Sequence, residues 1–196
     1  MARCDMAWFK PITRNFNRGM MNQIYGLVIH ITDGEGDIKT VWGDFDRVQD
    51  RIIRGKPEPK KSAHFCVNKR GELWQFIDTS NRAWALDGGT HDSHWISVEN
   101  IGKMGERLTD NQVTACANLL YWMHETYGTP FRRAEHRGDP GLNYHEMFSG
   151  SGHPCPGLPV RLQLERIVRE AWCWYWRDTR DDSTPLYIRN YLPTRS

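Results

Sequence analysis

Hydrophobic positions along the chain fall into two periodicities. Tyr25-Gly-Leu-Val-Ile-His-Ile31 is short, apolar and β-branched, the pattern of a buried strand. Alternation puts Leu27, Ile29 and Ile31 on one face and Val28, His30 and Thr32 on the other. Ser62–Val67 and Glu72–Ile77 read as a hairpin about Asn68-Lys-Arg-Gly71, and Arg82–Trp84 as a further short strand. His94–Glu99 alternates, with Trp95, Ser97 and Glu99 on one face, so Glu99 ends its strand much as His30 ends its own.

The helical period appears in three places. Val41, Phe45, Val48 and Ile52 are spaced four, three and four, which predicts an amphipathic helix over 41–53. Thr109-Asp-Asn-Gln112 is a capping box, followed by Val113, Cys116, Leu120, Met123 and Tyr127 on one face and stopped by Gly128. Pro159 suits the first turn of a last helix with a stripe of Val160, Leu164, Ile167, Ala171 and Trp174. A strand is expected over Pro130–His136. Strands and helices intermix around a hairpin, which predicts an α/β (α+β) domain with one central mixed sheet flanked by helices. The expected division is an N-terminal arm over 1–23, the domain over 24–177, and a polar, Pro-punctuated tail over 178–196.

Length adds that one domain is expected of 196 residues. A net charge of +2 is too small to argue for nucleic acid and suits an anionic target such as a bacterial wall. Nine tryptophans are many for this length; core is the expected place for most of them, although aromatic faces also stack on sugars. Five cysteines, an odd number without a CxxC, argue against a disulfide framework, and Cys116 reads as a small buried hydrophobe. No apolar run has the length of a membrane span, and the first residues lack the pattern of a secretory signal.

The densest chemistry is in Ala134–Gly157, AEHRGDPGLNYHEMFSGSGHPCPG. It holds His136, His145, His153 and Cys155 and is interrupted by Gly and Pro. Imidazole and thiolate are the usual zinc donors, so this stretch is either a metal-holding loop or a solvated surface loop. The ordered set VIHIT around His30, SAHFCVNKRGELWQFID from Ser62, AWALDGG from Ala83, HWISVEN around Glu99, LTDNQ at Leu108, EHR around His136 and CPG from Cys155 resembles the type 2, zinc-dependent N-acetylmuramoyl-L-alanine amidases. Peptidoglycan recognition proteins and phage lysozyme-type amidases share that fold.

The resemblance implies zinc (Zn2+) held by His30, His136 and Cys155, with a fourth position left for water. It makes Glu99 the catalytic carboxylate, and His153 stands where the family has Lys or Thr two residues before the last ligand. Ala63 replaces the Tyr of many members, which leaves the Glu branch of the family, and Ala85 replaces a cleft histidine. The interval from His136 to Cys155 is longer than usual, so His145 and Asp139 compete with His136 as ligands, His145 ranking second. The implied function is cleavage of the amide between N-acetylmuramic acid and L-alanine of the stem peptide, with peptidoglycan or muropeptide as partner. The alternatives are a non-catalytic wall-binding module and a cytoplasmic muropeptide-recycling amidase. A monomer is expected, with no nucleic acid and no membrane insertion. Delivery to the wall would fall to a holin, as for a phage endolysin, or to a secretion system, as for an effector with an immunity protein as partner.

Overall fold

A computed structural model describes residues 2–53, 55–57, 60–86, 89–149 and 153–179. In chain order the elements are β1 (Trp8–Phe9), β2 (Phe16–Asn17), β3 (Gly26–Ile31), α1 (Ile38–Asp46), β4 (Ile52–Ile53), β5 (Lys56–Pro57), β6 (Phe65–Val67) and β7 (Leu73–Gln75). There follow β8 (Arg82–Ala83), β9 (Trp95–Asn100), α2 (Asp110–Tyr127), β10 (Gly141–Tyr144), α3 (Leu158–Arg161) and α4 (Leu164–Thr179). Six strands form one mixed sheet in the order β1-β7-β6-β9-β3-β10. The hairpin β6–β7 is antiparallel; the pairs β1–β7, β6–β9, β9–β3 and β3–β10 are parallel. This is the predicted mixed α/β architecture.

Strand alternation sorts the core. Leu27, Ile29, Ile31, Phe65 and Val67 face α2 and α4 and join Cys116, Leu120, Met123, Leu164, Ile167 and Ala171 in one cluster. On the opposite face Cys66, Trp74 and Phe76 pack with Ile38 and Phe45 of α1. The α2 capping box is formed as read: the Thr109 hydroxyl accepts from the Gln112 N–H at 3.2 Å, and the Thr109 N–H donates to Gln112 Oε1 at 3.0 Å. Gly128 closes the helix at φ 71°, a left-handed conformation that costs glycine least.

Several expectations change. The first helix spans Ile38–Asp46 rather than 41–53: Asp37 caps it by accepting from the Thr40 N–H at 2.8 Å, and it buries Ile38 and Phe45. Val48 and Ile52 are exposed, so the four-three-four spacing continued past the true helix end by coincidence. The last helix is broken into α3 and α4. There the buried Gln163 turns aside to bond both the N–H and the C=O of Leu108, at 2.8 and 2.9 Å. The arm is more than a cover, since its β1 extends the sheet and Cys4 and Ile12 are buried. Of the nine tryptophans only Trp74 and Trp95 are buried; Trp8 is exposed and the other six are half-buried. The predicted tail lies, from residue 180 on, outside the described residues. Among the described residues no helix is long and apolar enough to cross a membrane, and all five cysteines are free.

The expected strand over 130–136 is not the one that enters the sheet. That strand is Gly141–Tyr144, which pairs with β3 in the register Gly141↔Gly26, Leu142↔Leu27, Asn143↔Val28 and Tyr144↔Ile29. The two backbones approach so closely at Gly26 that a Cβ there would overlap the Gly141 carbonyl. Gly141 itself sits at φ 134°, a conformation that side-chain-bearing residues rarely adopt. Residues 132–134 flank β10 on its outer side, with the Ala134 N–H donating to Leu142 O and the Leu142 N–H to Arg132 O.

Candidate active site

The register of the sheet lines up one row of side chains. Cys66 is opposite Glu99, and Glu99 is opposite His30. Because Tyr144 is opposite Ile29, His145 follows at the level of His30, and the two imidazole centroids lie 4.5 Å apart. The chain then turns through a 3-10 segment, His145–Met147, and returns to place Cys155 beside β3. The Ile31 N–H donates to Cys155 Sγ at 3.3 Å.

Three fasteners hold this returning segment. The buried Phe148 ring packs on Trp95 with centroids 5.2 Å apart. The Glu146 N–H donates to Cys155 O at 2.7 Å. The Glu146 carboxylate meets Arg161 at 2.9 Å. His153 packs its ring 4.6 Å from that of His145 and is exposed toward the opening. Together His30, Glu99, His145, His153 and Cys155 line a cleft of about 200 Å³. A roomier groove of about 590 Å³, between Phe131–Glu135 and α4, contains no imidazole or thiol.

The fold therefore brings together a different set from the one the resemblance implied. Ligand atoms of His30, His145 and Cys155 all lie within 4.8 Å of one another. His136 lies in the turn beyond the segment that flanks β10, one strand farther from β3. Its side chain is 82% exposed and meets Asp139 at 3.2 Å. Asp139 also accepts from the His136 N–H, which with the imidazole contact lowers the pKa of its carboxyl. The pair closes a surface turn and does not reach the cleft. The sequence did hold a signal for His145: Gly-Leu-Val-Ile-His at 26–30 and Gly-Leu-Asn-Tyr-His at 141–145 share a pattern, and they are the two strands that pair in register.

Electrostatics in the cleft suits a cation. Burial, and then the neighbouring His145 and His153, push the pKa of His30 well below its usual value, so the ring is neutral with a lone pair to donate. Its Nε2 is buried without a hydrogen-bond partner, an expensive state for a polar atom unless something else binds there. Burial and the Glu99 charge push the Cys155 thiol up to about 12, against a smaller lowering by the Ile31 N–H. A thiolate there needs a cation beside it. Two imidazoles and one sulfur are a fitting set for zinc.

Glu99 is the other perturbed group. Burial raises its carboxyl from 4.5 to about 7, and the Lys61 ammonium opposes that rise. Its Oε2 is buried without a partner. Lys61, outside every element that the sequence predicts, lines the cleft. Its backbone is fixed by the buried Gln49, whose amide accepts from the Lys61 N–H and donates to Lys61 O. Its position one residue before the predicted strand 62–67, of which Phe65–Val67 forms and pairs with the Glu99 strand, was the available clue. Ala63 is buried in the α1-side core and Ala85 lines the cleft wall, so neither supplies a polar group. His64 is satisfied on both nitrogens, by the Ser97 N–H at 3.2 Å and by Asn81 O at 3.0 Å, and is structural.

Comparison with known proteins bears on the fold and the family. The family model described as N-acetylmuramoyl-L-alanine amidase matches residues 20–158. Among solved structures, the chain is similar to Staphylococcus aureus hydrolase AmiA in complex with its ligand, at 14% identity and a TM-score of 0.66, covering 90% of this chain and 87% of that one. A selenomethionine AmpD derivative matches at 16% identity and a TM-score of 0.64, covering 85% and 96%. The amidase LysC from Clostridium intestinale matches at 16% and 0.60, covering 82% and 93%. Among curated protein sequences there is no match. At these identities the structures establish the shared fold, and the family match establishes more: the chain belongs to the N-acetylmuramoyl-L-alanine amidases. It is an enzyme of that class, a peptidoglycan hydrolase acting on the amide between N-acetylmuramic acid and L-alanine.

Proposed function

We propose that His30, His145 and Cys155 hold a catalytic zinc ion and that Glu99 is the general base for hydrolysis of the muramoyl–L-alanine amide. The observation that carries this is the meeting of two imidazoles and one sulfur beside a half-buried carboxylate of raised pKa. Zinc bound there supplies Lewis acidity at the carbonyl oxygen and brings the pKa of water close to neutrality. Glu99 takes the proton of the attacking water and returns it to the leaving α-amino nitrogen of alanine. The bond formed joins water oxygen to the lactyl carbonyl carbon, and the bond broken is the amide C–N. The products are the glycan with a free lactyl carboxylate and the stem peptide with a free amine.

His153 donates a hydrogen bond to the developing oxyanion, a contribution of about 3 kcal/mol for one well-placed donor. Asp139 and His136 take no part. A wall-binding module without catalysis would need neither the metal donors nor a carboxylate tuned toward 7. Mass spectrometry of sacculus digests, with and without a chelator, tests the reading. Free stem peptides that begin with L-alanine should appear and should vanish on chelation; sugar-bond fragments, or chelator-resistant release, would refute it.

A further inference from the structure

The cleft carries one cation that the chemistry above does not use. Lys61 lines it together with Glu99, His30 and Cys155, and lines with Glu99 a small recess of about 60 Å³ closed by Val41 and Phe45 of α1. Its ammonium is near enough for its charge to act on the Glu99 carboxyl. Among the described residues it makes no ion pair and no hydrogen bond. The acids nearby are engaged elsewhere. Asp44, in the recess, meets Arg47 at 3.5 Å, and Asp33, on the cleft, accepts from the Met104 N–H at 2.9 Å.

The backbone that bears this ammonium is held on both sides. Gln49, only 4% exposed, accepts from the Lys61 N–H at 2.6 Å and donates to Lys61 O at 2.9 Å. The next residue, Ser62, donates its N–H to Trp84 O at 3.0 Å, and its hydroxyl accepts from the Trp84 N–H at 3.0 Å. Trp84 is itself part of the cleft wall. A buried amide and a cleft-wall residue thus fix where the Lys61 side chain starts. The preceding Lys60 does not line the cleft; its ammonium lies 5.8 Å from the Trp84 ring centroid.

The two sides of the scissile amide differ in charge. N-acetylmuramic acid, its lactyl carboxyl taken up in the amide, offers hydroxyl and acetamido groups and no charge. Carboxylates lie only on the peptide. An unpaired ammonium beside the reacting groups therefore marks the peptide side of the cleft. The alanine carboxyl is taken up in the next peptide bond, so the first carboxylate available belongs to the second stem residue. Its Cα is about 3.8 Å from that of alanine, close enough for a lysine side chain rooted beside the scissile bond. We propose that Lys61 binds the α-carboxylate of the second stem residue, so that the enzyme selects stems acidic at that position over stems amidated there. An ammonium and a carboxylate form a charge-assisted hydrogen bond, whereas a carboxamide offers a neutral carbonyl. This inference rests on reading the cleft as a muramoyl amide site.

The test compares N-acetylmuramoyl-L-alanyl-D-glutamic acid γ-methylamide with its α-carboxamide, two substrates that differ only in carboxylate against amide. The full-length wild type should cleave the acid with a kcat/KM about tenfold higher, chiefly through a lower KM. Lys61→Met should bring that ratio near one, and Lys61→Glu should invert it. Lys60→Ala, which removes a like charge one position away, should keep it. Equal use of both substrates by the wild type would overturn the proposal whether or not any variant folds. So would a Lys61→Met enzyme that loses on both substrates alike and keeps the ratio, which marks a structural role. A Lys60→Ala enzyme that loses the ratio as fully as Lys61→Met does would overturn it too, since a diffuse field would then suffice. A wild type that cleaves neither substrate would instead refute the amidase reading, and the ratio of the two dissociation constants, by titration calorimetry, would still judge Lys61.

Discussion

The two halves of the candidate active site are built in different ways. His30 and Glu99 are ends of adjacent central strands, their positions set by six pairs of in-register residues. His145, His153 and Cys155 belong to a Gly- and Pro-interrupted segment that reaches the same point because β10 delivers one end and a few contacts fasten the rest. The strand half is fixed by a backbone ladder that no single side chain can undo. The loop half depends on identifiable fasteners, and it is there that the chain could have supplied either His136 or His145.

The sharpest way to break the comparison is to remove each histidine in turn. His145→Ala should lose bound zinc and fall to background activity. His136→Ala should stay within about twofold of wild type, since an exposed surface pair contributes little. Zinc content by elemental analysis and turnover on muramoyl peptide decide it, and the opposite pattern would return His136 to the ligand set.

Next in size is Glu99→Gln. It should keep zinc and lose about 10²–10⁴-fold in kcat, the usual range for a general base. Activity of the wild type should climb with pH as Glu99 ionises, below the value of about 7 that burial gives it in the metal-free protein because a bound cation favours the carboxylate, and the residual activity of the variant should lack that limb. Stability runs the other way. A carboxyl raised in the fold stabilises most below its unfolded value of about 4.5. That stabilisation is lost as pH rises through about 7. Metal-free Glu99→Gln should therefore melt higher than metal-free wild type at pH 8, with the gap narrowing at acid pH. A gap that widens toward acid would contradict the assignment.

The loop fasteners give smaller effects. Phe148→Ala removes a buried ring and should cost about 3 kcal/mol of stability while weakening zinc retention in a chelator competition. Arg161→Ala breaks a partly exposed ion pair with Glu146 and should cost under about 1 kcal/mol by denaturant titration. If Arg161→Ala proves the more damaging for zinc retention, the loop is held by charge rather than by packing.

Much of this was legible in the sequence. Local rules wrote the strand of His30, the hairpin after Ser62, the strand of Glu99, and the capping box and Gly128 stop of α2, each because neighbours in the chain fix period, cap and turn. The family resemblance named His30, Glu99 and Cys155, and they meet. Tertiary structure alone decided that His145 rather than His136 lies beside them. That choice depends on Gly141–Tyr144 pairing with Gly26–Ile29, a contact between residues more than a hundred positions apart whose energy no local pattern carries. It likewise placed Lys61 beside Glu99 and ended α1 before Val48. Strand register is settled by burial across the whole sheet, so a short strand between glycines announces its existence weakly and its neighbours not at all.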